Sequence, residues 1–276
     1  MLTIVWLTWK EAVRRRAPVV TLLVAALLLV GAFVPLTGRL LLVPRPEANR
    51  IYASVYIALT TDIIKFFVSV LGLTMAAGAI SAELERGVLS SILPKPITRL
   101  SVYAGKWLGI FLFVAANLLL WVTIIWGVAS YRAPAVSHMS VWRALPYLML
   151  YPAMFTTLAL LFSTFAAFPL AAGLSILLTG VGWAEGFLYL LSRLFAIDLL
   201  LRLSAIAGYI LPIGRMSRWV AKGIGPLTFF GGQTAEIGSR GPFGEIKVAA
   251  LDLPYIGAYI AAAFVLGAIL LGRRDV

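Results

Sequence analysis

The sequence contains no cysteine and a single histidine, His138, among 276 residues. Disulfides, thiol nucleophiles and thiolate metal sites are therefore excluded. One imidazole cannot assemble a multi-histidine metal centre. Charge is also scarce: Asp, Glu, Lys and Arg make up 12% of the chain, where a soluble domain carries roughly 25%. No G-x-x-x-x-G-K-[ST] run occurs, so the chain lacks a phosphate-binding loop of that kind. Gly-x-Ser-x-Gly is missing, Ser163 and Ser175 have no histidine near them in sequence, and Arg143 stands where an H-x-x-x-x-D acyltransferase pattern from His138 needs aspartate. Met149 and Met154, with Tyr147 and Tyr151, have the spacing of helix packing and not of a copper site. No catalytic residue and no metal ligand set is assigned.

Apolar residues are what the chain has in excess, at 62%. A water-soluble fold of this length cannot bury that much apolar surface. The expected class is an all-α integral membrane protein, because the apolar runs are continuous and do not alternate as barrel strands do. A span needs roughly 20 mostly apolar residues. Six windows qualify: 18–36, 63–81, 102–129, 144–165, 169–191 and 253–271. The first follows Lys10, Arg14, Arg15 and Arg16, but it is longer than a signal-peptide core and no Ala-x-Ala site follows, so it is read as a retained span. No internal repeat and no soluble domain is evident.

The net charge of +12 is carried mostly between the apolar runs, where basic residues orient spans and meet anionic headgroups. A nucleic-acid role is set aside. With six spans both termini share one side. That side has Lys10, Arg14, Arg15, Arg16, Arg86, Lys95, Arg99, Arg273 and Arg274, with Lys106 expected to snorkel back to it. The other side has Arg39, Arg45, Arg50, Arg132 and Arg143 in short loops, with Lys65 near a span end. Setting aside the long segment 192–252, where the positive-inside count loses meaning, the termini are expected in the cytoplasm of a cell (inner) membrane protein. Within 192–252, Phe195–Ile213 is apolar but contains Asp198 and Arg202 at i and i+4, spaced to pair on one helix face. Two charges near the centre of a span are costly. Helices in, or re-entering, the outer leaflet are therefore expected, followed by a Gly/Pro-rich loop over 223–244, with a seventh span as the alternative.

Residues 1–16 read as an amphipathic interfacial helix. Leu2, Val5, Trp6, Trp9 and Val13 form one stripe, and Lys10, Arg14 and Arg15 lie away from it. Pro18 marks a break before the first span.

The connection 82–101 between the second and third spans is the most informative stretch. Leu84, Val88 and Ile92 stand at i, i+4 and i+8, with Leu89 and Leu93 beside them, and Pro94 and Pro96 end the pattern. Glu83, Glu85 and Arg86 cluster at its start. An apolar face on an extramembrane helix points to a docking partner.

Glu83, Glu85, Gly87, Leu89, Ile92, Leu93, Pro96, Ile97, Thr98, Arg99, Gly105 and Lys106 match the pattern E-x-E-x-G-(T/S)-L-x-x-L-L-x-x-P-I-(S/T)-R followed by G-K. In this the chain resembles the type-2 ATP-binding-cassette (ABC-2) transporter permeases, with Val88 where the family usually has Thr or Ser. The amphipathic start with Trp9-Lys10-Glu11, the six spans and the long fifth-to-sixth connection extend the likeness over the whole chain in outline. The resemblance implies a permease subunit that dimerises, as homodimer or heterodimer, and forms the substrate pathway. It implies a cytoplasmic P-loop ATPase partner carrying ATP and Mg, with no cofactor bound by this chain. Residues 84–99 become the coupling helix seated on that ATPase, with Glu83, Arg86, Gly87, Pro94 and Arg99 around it. Export is the expected direction.

Four intramembrane polar residues complete the reading. Asn117, mid-way in the third span, is expected to make an interhelical hydrogen bond, with pathway contact as the alternative. Glu185 is expected to line the exit or pair with Arg193. Asp62 and Lys65 are expected to pair at the outer end of the second span. A secondary transporter or channel without an ATPase is the rival class, and an intramembrane enzyme is a more distant one. The docking segment, the lack of a charged relay and the lack of catalytic groups weigh against them.

Overall fold

A computed structural model describes residues 2–14, 17–33, 45–85, 98–134, 138–228, 234–236, 240–241, 244–245 and 248–273. Among the described residues the apolar windows are mostly helical. Five helices are long and apolar enough to cross a membrane, and up to seven crossings result if each of two bent helix pairs counts as one.

The first bent pair is the N-terminus. Helix α1, Leu2–Arg14, and helix α2, Ala17–Val30, belong to stretches that meet at 65° just before Pro18. A 3-10 turn, Gly31–Phe33, follows α2, and the expected remainder of that span, 34–36, lies outside the described residues.

Helix α3, Arg45–Ala76, starts well before the expected window at 63. With the turn after it and the short helix α4, Ser81–Glu85, it passes as one stretch from Pro46 to Glu83. That stretch has 38 residues, or roughly 57 Å at 1.5 Å per residue, about twice the hydrocarbon thickness. The hydropathy window missed the first half because Arg45, Glu47 and Arg50 dilute it. Burial of Ala48, Ile51, Tyr52, Tyr56 and Ile57 along one face holds that half in the helix.

Helix α5, Arg99–Arg132, has the Thr98 side chain as its N-cap, accepting from the Ser101 amide at 3.2 Å. The fourth expected span is divided into α6, Ser140–Leu148, and α7, Leu150–Phe165. Pro152 has no N–H to donate to Leu148, and the helix breaks at Met149. Helix α8, Phe168–Phe195, ends at Ala196 in the left-handed region (φ 52°). The second bent pair follows: α9, Asp198–Ile210, and α10, Ile213–Ile224, meet at 81° around Pro212. Each is too short to cross a membrane alone. The stretch expected as a plain loop carries two small antiparallel ladders, β1 (Pro226–Thr228) with β2 (Thr234–Glu236) and β3 (Arg240–Gly241) with β4 (Gly244–Glu245). Helix α11, Asp252–Arg273, closes the chain.

The core runs along α3, α5, α6 and α7, where Ile64, Tyr103, Trp121, Tyr151 and Phe155 are fully enclosed. Helices α8 and α11 are peripheral: 17% and 22% of their spanning windows are buried, against 67% in α3 and 72% in α6–α7.

Two ends of the bundle are defined by contacts. Ser163 bonds to Ser81, and the Arg99 guanidinium reaches Leu271 and Gly272, so the ends of α3, α7 and α11 and the start of α5 gather at one end, called here the base. Glu185 lies roughly 25 Å away along α8, among Asp62, Ser217 and Asp252, at the opposite end, called the crown.

Candidate functional site

At the base, the polar groups fix the two ends of the 86–97 connection. Lys106 projects from α5 into the bundle and is buried. A buried ammonium needs partners. Its Nζ donates to the Ala79 carbonyl at 2.6 Å and lies 2.5 Å from Glu83 Oε1. Lys106 thus reaches the base through protein partners, one in the turn after α3 and one on α4. The first amides of α4 would be orphaned by the turn that precedes them. Ser163 Oγ of α7 accepts from Ile80 N at 3.1 Å and Ser81 N at 3.0 Å. On the return side, Arg99 Nη1 donates to Gly272 O at 3.1 Å and Leu271 O at 3.5 Å. A cation suits these last carbonyls of α11. The chain therefore leaves α3 tied to α5 and α7, and re-enters α5 tied to α11. Arg86, Gly87, Val88, Leu89, Ile92, Leu93, Pro94 and Pro96 lie outside the described residues. Leu84 and Glu85 belong to α4 by backbone, and their side chains also lie outside the description.

Helix α1 packs on α5 at the level of Gly109. A Cβ there would come within 2.8 Å of Thr8 Cβ, so only glycine permits this approach. The face meeting protein is Thr8 and Ala12, with Trp9 edge-on to Phe113 at 5.5 Å between centroids. Trp6 and Val13 of the apolar stripe point outward, away from this contact, because the small residues set it. Lys10 and Arg14 are exposed, with Lys10 Nζ 5.2 Å above the Trp6 ring.

Asn117 joins helices. Its Nδ2 donates to Phe113 O at 2.7 Å, Thr21 of α2 donates to its Oδ1, and Trp121 Nε1 donates to Thr21 O at 3.3 Å.

At the crown, polar groups converge on the turn between α9 and α10. Glu185 Oε2 accepts from Gly214 N at 3.0 Å, and the Ser204 hydroxyl donates to Glu185 O at 2.9 Å. A Cβ on Gly208 would sit 2.8 Å from Glu185 Oε1, so the carboxylate occupies the space that glycine leaves. Its described partner is therefore α10; the Arg193 side chain lies outside the description. Lys65 is buried, 2.5 Å from Asp62 Oδ1, and its Nζ donates to Ser217 Oγ at 3.0 Å. This pair sits inside α3 and not at a helix end, since α3 continues past it to Arg45. Asp252 Oδ1 is 3.7 Å from Arg215 Nε, and its Oδ2 is 3.8 Å from Arg218 Nη2. Arg215 also lies against the Tyr209 and Tyr255 rings, at 5.0 and 4.3 Å. Tyr255 and Tyr259 donate to Tyr209 O (2.9 Å) and Ile210 O (2.8 Å). The α9–α10 hairpin is thus bonded to α3, α8 and α11. Asp198 and Arg202 make no ion pair with each other among the described residues; both are exposed, where such a pair gains little. His138 is buried with Nε2 3.2 Å from Ala133 O, a local contact.

Sequence reasoning missed Ser163, Ser217, Arg215, Arg218 and Asp252. Only Asp252 carried a signal, as a carboxylate just before an apolar run, the composition of a helix start. The family model described as ABC-2 family transporter protein matches residues 2–276. No curated protein matches the chain.

Proposed function

The chain belongs to the ABC-2 transporter family and is a multi-pass membrane permease subunit of an ABC transporter; we propose that it acts as a dimeric exporter driven by separate cytoplasmic ATPase subunits docked on residues 84–99. The observation that carries this reading is the anchoring of both ends of that segment. Glu83–Lys106 and Ser163 hold its entry, and Arg99 holds its exit. A segment fixed at both ends passes a displacement of its middle directly to α3, α5, α7 and α11. An unanchored connector would absorb it.

In this reading ATP and Mg bind the partner ATPase. Nucleotide binding favours one arrangement of the ATPase pair, and the docked segments bias the permease between two states. The base is cytoplasmic, in a cell (inner) membrane, which accords with the Lys/Arg asymmetry. The outward faces of α8 and α11 provide lipid-facing and subunit-facing surface for a second permease copy, homologous or identical. Asn117 and Glu185 act between helices, since their polar atoms are taken up by Thr21, Phe113 and Gly214.

The test is ATP hydrolysis by the assembled complex. The purified permease alone is expected to show none. Leu89→Ala with Ile92→Ala is expected to weaken ATPase association or uncouple hydrolysis from transport, because truncating an apolar side chain buried at an interface centre costs above about 1 kcal/mol. Unchanged association, hydrolysis and transport in that variant would reduce the segment to a plain connector.

A further inference from the structure

A cavity of about 810 Å³ opens at the base between α1, the end of α3 and the start of α8. Its volume is in the range of small-molecule sites, roughly 300–1,000 Å³. Its lining has two parts. Lys10 and Arg14, one turn apart on α1, and Glu11 between them supply charge; Leu7, Ala82 and Phe168 supply an apolar wall. Leu7 and Phe168 are 59% and 44% exposed, so the apolar wall opens to the outside of the bundle. Glu83, next to Ala82, is engaged by Lys106 and adds no free carboxylate to the mouth. Basic groups over an apolar wall that opens outward fit an amphiphile with an anionic head.

We infer that this cavity binds the headgroup of an anionic phospholipid. Arg14 and Lys10 take the phosphate, for which a guanidinium fork and an ammonium are the matching donors. The glycerol and the first methylenes lie along Leu7, Ala82 and Phe168. The bound lipid bridges α1 to the exit of α3, where the 86–97 connection begins. The inference does not depend on ATPase docking. It needs only that the base lie at headgroup depth, where Glu83, Arg99 and Lys106 already concentrate charge.

Native mass spectrometry of the full-length permease in detergent, titrated with phosphatidylglycerol or with phosphatidylcholine of the same acyl chains, tests it. Two cations offset by one carboxylate leave one net basic charge, so phosphatidylglycerol is expected to be retained about fivefold better. Lys10→Gln with Arg14→Gln is expected to bring the two lipids near parity, while Lys10→Arg with Arg14→Lys keeps the preference. Ala82→Phe, which fills the cavity without altering charge, is expected to lower retention of phosphatidylglycerol. Inorganic phosphate in large molar excess is expected to leave the lipid bound. Equal retention of the two lipids by the wild type, an undiminished preference in the double Gln variant, or displacement of the lipid by inorganic phosphate would each overturn the proposal, the last by showing a free-anion site.

Discussion

The base and the crown of this permease use the same scarce resource, charge, in different ways. At the base, one buried lysine, Lys106, is satisfied at 2.5–2.6 Å by a carboxylate on α4 and a carbonyl of the turn after α3. At the crown, the ionic contacts of Arg215 and Arg218 to Asp252 are 3.7–3.8 Å long, and Asp62, the partner of Lys65, is 62% exposed. Short and enclosed contacts favour a rigid joint. Long or solvated contacts are weaker and favour a hairpin that can be displaced. In the proposed mechanism the base transmits force and the crown moves.

The largest effect is expected from Lys106→Met. It strands Glu83 and the Ala79 carbonyl at the enclosed joint. Breaking a buried pair costs about 3–5 kcal/mol; the partial exposure of Glu83 lowers this to about 3 kcal/mol. Thermal unfolding in detergent should show the loss, and Glu83→Gln in the same chain should recover part of it. A smaller loss, about 2 kcal/mol, is expected for Lys65→Met, since its removal leaves Ser217 unpaired while water solvates Asp62. Hydrogen exchange should then rise over 210–218 and stay unchanged at 79–85. Exchange rising equally at the two places would erase the distinction between the ends.

Ser163→Ala sharpens the comparison from the base. Two backbone amides lose their acceptor, at about 1–2 kcal/mol, and exchange should increase at Ile80 and Ser81 before any change at the crown. The smallest effect is expected for Asp252→Asn, below about 1 kcal/mol, because its ion pairs are long and the asparagine oxygen can still accept from Ala249 N. Its signature is faster exchange around 209–218 with no shift in the unfolding temperature.

The sequence made some of this legible. The apolar windows marked where the long helices lie, since about twenty apolar residues in a row have few other uses. Asn117 was legible as an interhelical contact because an amide in an apolar run has few alternatives to a neighbouring helix. The first half of α3 was not legible: its charges hide a buried face formed only when α3 meets α2 and the crown. Nor was the Lys106–Glu83 joint, although both residues belong to the motif, because pairing across the connection depends on how α3 and α5 lie together. Glu185 found Gly214 and Lys65 found Ser217 through the hairpin turn at Pro212, whose direction no local pattern specifies. The protein-facing side of α1 was not legible because Thr8 and Ala12 pack by being small, and size is invisible to a hydrophobic stripe.

The central claim is that the stretch held between Glu83 and Arg99 meets the ATPase. A photo-crosslinking amino acid at position 89, irradiated in cells, tests this most directly, with the same residue at crown position 143 for comparison. The account predicts an adduct at 89 that mass spectrometry identifies as a P-loop ATPase, and none at 143. No such adduct at 89, or an ATPase adduct at 143, would contradict it.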